Sequence, residues 1–200
     1  MKHIFSNRVL HILVVLCLGA CATPVEVLDP IPLNVKKEIN ITSVHVSYGA
    51  VGHDTITKLD QKREAERLDD EIEIVRASNG RVHIDHYEYL PLKDMLQYTV
   101  ENVLRDSGLM GSVNVSLAIH IDTLRFANAG LTILAGDTDQ LAGLVSILDE
   151  DQNTLGQFYV DVIEAHGGLL GLAIRGGGVR EGLAYKFSEE LVKELKNLEP

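Results

Sequence analysis

Tryptophan is absent from this 200-residue chain, and aromatic residues make up only 5% of it. Proteins that bind bases or sugars by stacking need ring platforms, so that mode of recognition has little to work with. Positive charge is scarce as well: 18 Lys and Arg stand against 29 Asp and Glu, a formal charge of −11. Such a field repels phosphate backbones and anionic lipid headgroups, which argues against nucleic acid as a partner. Cysteine occurs twice, at positions 17 and 21, so no disulfide framework is available. No run of about 20 apolar residues exists that could cross a bilayer as a permanent helix. Catalytic signatures are missing too. There is no G-x-S-x-G elbow, no HExxH and no glycine loop followed by Lys-Ser/Thr. The chain reads as non-enzymatic, with no cofactor.

What is present begins at the amino terminus. "MKHIFSNRVLHILVVLCLGAC" carries a short basic region (Lys2, Arg8) and then an apolar run, Val9 to Leu18, interrupted only by His11. Basic start, short apolar stretch and small residues describe an export signal that is removed. Its end, Leu18-Gly19-Ala20-Cys21, resembles the lipobox of bacterial lipoproteins. Cys17 does not fit that pattern, since the bulky Leu16 precedes it. The resemblance implies cleavage before Cys21, diacylglycerol on its thiol and a further acyl chain on the new amino terminus. Ordinary secretion is the competing reading, because Ala20-Cys21-Ala22 also fits an A-x-A cleavage site. Ala22, rather than Asp, implies by resemblance the outer membrane of a Gram-negative cell, on its periplasmic face. Without Lys2 and Arg8, 16 basic residues face 29 acidic ones, giving −13. The remaining chain keeps no free thiol, so an ordinary hydrophobic core must hold it together.

Residues 1–20 are thus expected to be the signal peptide and 21–38 a lipidated cysteine with a tether. Pro24, Pro30 and Pro32 restrict that stretch to extended shapes. Its 17 residues after Cys21 would reach about 55 Å fully extended and roughly 23 Å as a flexible coil. Residues 39–200 are expected to form one α+β domain. "INITSVHVSY" alternates with a one-step phase change near Thr42-Ser43, the mark of a bulge. Residues 57–71 are dense in charge and predict an exposed helix or an inserted loop. Asn79-Gly80 between β-rich runs predicts a hairpin over about 72–77 and 82–88. Leu92, Met95, Leu96, Thr99, Val100, Val103 and Leu104 fall on one helical face, and Gly108 suits its end. "VNVSLAIHIDTLRF" then alternates strictly from Val113 to Asp122. A further strand is expected near Leu131–Ala135. Two more flank the acidic turn at 149–153, with Phe158, Val160 and Val162 facing inward. The last element, 180–198, is amphipathic through Leu183, Phe187, Leu191, Leu195 and Leu198, with Glu189 and Lys193 spaced as an i,i+4 pair. The expected fold is α+β: an antiparallel sheet of about four to six strands with two amphipathic helices on one face.

This element order, with the lipobox, resembles uncharacterised YajG-type lipoproteins. It shares a strand after the tether, a helix ending at glycine (Gly108), a long "VxVxLxIxIxxL" strand from Val113 and a terminal helix. Auxiliary lipoproteins of ABC-type transport systems and the amino-terminal domain of TolB-like proteins have a similar layout. The resemblance implies a structural or interaction role in the cell envelope, with an envelope protein as partner. It transfers no catalytic residue.

Two features invite a site. "HGGLLGLAIRGGGVREG", residues 166–182, holds seven of the 17 glycines. It matches neither a P-loop nor a dinucleotide fingerprint, so it reads as a pliable crossover. Leu169, Leu170, Leu172 and Ile174 could form an apolar tip for partner contact. His83, Asp85 and His86, and separately His120 with Asp122, tempt a metal reading, but their spacing matches no known ligand pattern. No metal is expected, nor calcium at Asp149-Glu150-Asp151 with Asn153, which lacks the EF-hand glycine and terminal Glu.

Overall fold

The computed structural model describes residues 24–50, 53–70, 89–127, 138–165 and 178–198. The expected signal peptide, Cys21, the hairpin at 72–88, the strand near 131–135 and the segment Leu169–Ile174 lie outside these residues. Within them the chain forms β1 (Val25–Asp29), α1 (Leu33–Lys37), β2 (Ile39–Tyr48), α2 (His53–Asp69), α3 (Leu92–Ser107), β3 (Val113–Arg125), β4 (Thr138–Leu148), β5 (Thr154–Ala165) and α4 (Val179–Lys196). No described helix is long and apolar enough to cross a membrane.

The fold is α+β. One five-stranded sheet runs in the order β1-β5-β4-β3-β2. Three of its four pairings are antiparallel, and β2 runs parallel to β3 because helical chain lies between them. Period-two alternation puts one residue set on each face. Val46, Ile119, Val145 and Phe158 are aligned across four strands and all are buried. The adjacent row, Ser47, His120, Leu144, Tyr159 and Glu26, crosses all five strands on the opposite face, away from α3 and α4. The phase change expected near Thr42 is a register shift between Ile41 and Ser43 against β3.

Helices α3 and α4 cover the buried face and pack on each other. Leu92, Met95, Leu96, Val100 and Leu104 from α3 meet Leu183, Phe187, Leu191 and Leu195 from α4 in one core. Gly108 closes α3 at φ 76°, where a side chain would be strained. Of the 57–71 stretch, residues up to Asp69 are helical: α2 is laced by Arg67–Glu64 and Arg63–Glu66 pairs, with Ile56 its buried residue. The acidic turn is a hairpin. Both Asp149 carboxylate oxygens accept from Asn153, and Gln152 adopts φ 66°. Those bonds hold the Asp149 carboxyl below its usual range.

Three expectations need correcting. The stretch 21–38 is not a free tether over its described part. The five residues between Pro24 and Pro30 keep their N–H groups and pair antiparallel with β5 as an edge strand, where flanking prolines are tolerated. The Glu189–Lys193 pair does not form; Lys193 Nζ instead lies 3.3 Å from Glu190 Oε2. And Leu198 is exposed, because the chain turns extended at Asn197 and α4 stops at Lys196.

Candidate functional site

The prolines that suggested a spacer instead deliver the amino-terminal segment onto the domain, where three contacts hold it. Pro24 carbonyl oxygen accepts from Asp161 N–H at 2.8 Å. Ile31 seats on Gly156, where a Cβ would come within 2.7 Å of its side chain. Lys36 Nζ, on α1, donates to Glu194 Oε1 of α4 at 2.7 Å, with only 8% and 12% of the two side chains exposed.

This docking builds a groove of about 960 Å³ between the carboxy-terminal ends of α3 and α4 and the start of β1. Pro24, Val25, Val103 and Val192 give it apolar walls. Asp106, Glu189, Glu190 and Glu194 stand along it with Lys193 and Lys196. Helix carboxy termini carry partial negative charge, which adds to those carboxylates. A second, smaller cleft of about 500 Å³ continues beyond Glu194 and Asn197, along Val27, Ile31 and Leu33. Val27 and Leu33, which line it, are each about half exposed, as are Leu28 and Leu198. Sequence reasoning missed the groove because it depends on β1 docking. Prolines read locally as spacing, and the pairing partner of Val25–Asp29 lies more than 120 residues away.

At the other end of the helices, Arg180 is 4% exposed at the start of α4. It donates to Asp60 Oδ1 at 3.1 Å and to the Leu90 carbonyl at 2.9 Å. Asp60 also accepts from Leu92 N–H at 3.0 Å. A residue of α2 therefore serves the amino terminus of α3, whose Pro91 has no capping side chain. Burial, first of all, pushes the Asp60 carboxyl above its usual range, against the opposing Leu92 N–H and Arg180. Burial and the Asp60 charge likewise push the nearby Tyr48 hydroxyl up. This node joins three helices.

On the sheet face opposite α3 and α4, Ser47 Oγ lies 2.9 Å from His120 Nδ1. Asp122 Oδ1 is 3.7 Å from His120 Nε2, beyond hydrogen-bond reach. A hydroxyl beside an imidazole is the first link of a nucleophile–base pair. Here the ring is about half exposed and the orienting carboxylate is not engaged. His120 and Asp122, singled out as a pair in the sequence, thus share a face without forming a ligand set. Among the described residues no three His, Cys, Asp or Glu side chains gather as they would around a metal ion. His83, Asp85 and His86 lie outside them, as do Leu18, Gly19, Ala20, Cys21, Leu169, Leu170, Leu172 and Ile174.

No protein-family model matches the chain, and no curated protein matches it. Solved structures with a similar arrangement include a PelC dodecamer from Paraburkholderia phytofirmans, 9% identical, with TM-score 0.40 over 87% of this chain and 95% of that one. A point variant of that PelC, also a dodecamer, is 8% identical with TM-score 0.40 over 84% and 94%. Nothing about function follows from a likeness of that size.

Proposed function

We propose that this chain is a non-enzymatic, lipid-anchored periplasmic protein with a structural or interaction role in the cell envelope, held at the outer membrane through Cys21. One observation carries the reading: Leu18-Gly19-Ala20-Cys21 follows a short basic and apolar leader. A net charge of −13 after the leader, and no cysteine left beyond Cys21, suit a module that works by contact. Leu169, Leu170, Leu172 and Ile174 are the proposed contact residues for an envelope protein. Replacing Leu170 and Leu172 with Ser leaves folding intact and abolishes capture of that partner; an unchanged crosslinking profile in intact cells dismisses the patch.

The anchor is tested by Cys21→Ser in cells fed a labelled fatty acid. The wild-type chain takes up label and fractionates with the outer membrane, whereas the variant does neither. A variant processed normally, beside a wild type that never carried label, overturns the proposal.

A second reading, an auxiliary lipoprotein of an envelope lipid or ABC-type transport system, is favoured by one observation. The groove lies between α3 and α4 and is lined in part by valines. Lipid extracted with the purified protein, at one molecule per chain, supports this reading; lipid-free protein from gentle extraction rejects it.

A further inference from the structure

We propose that the groove between the ends of α3 and α4 holds an acyl chain of the protein's own Cys21 anchor. This rests on the lipid-anchor reading above and adds a binding site to it. The first argument is position. Pro24 and Val25 form one wall of the groove, and Pro24 is fixed by the Asp161 N–H. Three residues of chain from Cys21 to Pro24 span at most about 11 Å. Acyl chains joined at residue 21 therefore start within that reach of the groove wall at Pro24, and the docked β1 and α1 add no further slack.

The second argument is size and lining. A volume of about 960 Å³ lies at the upper end of the range of roughly 300–1,000 Å³ typical of small-molecule sites. Val25, Val103 and Val192 line it, and lysine stems offer further methylene surface.

Charge is the third argument, and it selects between two lipids. Four carboxylates stand along the groove against two lysines. Two of those carboxylates are already paired, Glu190 with Lys193 and Glu194 with Lys36, which leaves Asp106 and Glu189 beside Lys196 where both helices present their negative ends. An anionic phospholipid would bring its net negative headgroup into this field and be repelled. A diacylglyceryl thioether on an amide-capped cysteine carries no charge at all. By charge the site therefore prefers the protein's own anchor to the anionic lipids of the leaflet. Its consequence is a shielded acyl chain whenever the module stands away from the membrane.

The test uses cells grown with a fatty acid bearing a photoreactive diazirine and a terminal alkyne. The full-length protein is irradiated in its envelope fraction, purified, digested and analysed by mass spectrometry. The expected product joins the Cys21 lipopeptide to peptides containing Val103 or Val192 of the same chain. Val103→Trp, which fills the groove, loses most of that product while intact mass shows lipidation retained. Should Val103→Trp fail to fold, the wild-type crosslink decides alone. An acylated chain whose photoproducts contain only phospholipid or other proteins overturns the groove proposal and leaves the anchor standing. A chain with no acyl group overturns both, and intact mass distinguishes that failure from the first.

Discussion

Lys36→Met removes the ammonium that holds α1 to α4 while keeping most of the aliphatic stem. Glu194 is then left with 12% of its side chain exposed and its Lys36 counter-charge gone. Removing one partner of a buried pair costs about 3–5 kcal/mol; because water reaches both groups here, the lower end, about 3 kcal/mol, applies. For a domain of this size each kcal/mol lowers Tm by roughly 2–4 °C, so the expected fall is about 6–12 °C. Lys36→Met combined with Glu194→Leu removes both charges and restores stability to within about 1 kcal/mol of wild type. Thermal melts followed by circular dichroism read the four members of this cycle. Limited proteolysis adds a positional readout: cleavage within 24–38 rises in the single variant. A single variant melting within about 2 °C of wild type, with segment 24–38 no more sensitive to protease, refutes the docked segment and with it the groove.

Asp60→Asn tests the helix node through pH. Burial raises the Asp60 carboxyl in the folded protein, so the folded state holds that proton more tightly than the unfolded chain does. The stability that this proton confers is present at low pH and is lost as pH rises from the ordinary value of 3.8 through the raised one. Wild type therefore loses stability relative to Asp60→Asn across that window, and a difference that grows in the opposite direction contradicts the assignment. Gly108→Ala places a Cβ at φ 76° and costs about 1 kcal/mol by chemical denaturation, with an unchanged m-value; a neutral substitution shows that α3 ends otherwise. Gly156→Val drives a side chain into Ile31 and exposes 24–38 to protease without unfolding the β4–β5 hairpin; a protected segment means Ile31 is not seated there.

Much of the fold was legible in the residues themselves, and the exceptions have a common cause. The faces of α3 and β3 are written in strict 3–4 and two-residue periods, because each buries one side against a single core. The bulge in β2 and the Asp149 turn were visible for the same local reason. What escaped was long-range. Nothing near Val25 announces Val160 as its partner, and nothing near Ile39 says that β2 lies parallel to β3. The Lys36–Glu194 bridge and the Arg180–Asp60 contact join residues more than 100 apart. Charges at such separations look like solvated surface until the fold brings them together. The groove belongs to this class, since its walls come from β1, α3 and α4. The proposed lipid anchor is the opposite case: it rests on four adjacent residues, Leu18 to Cys21.

The central claim is most directly tested by the intact mass of the protein extracted from cell envelopes. The account predicts a chain that begins at Cys21 and carries three acyl groups. A chain that keeps Met1, or one cut near residue 20 with an unmodified thiol, contradicts it.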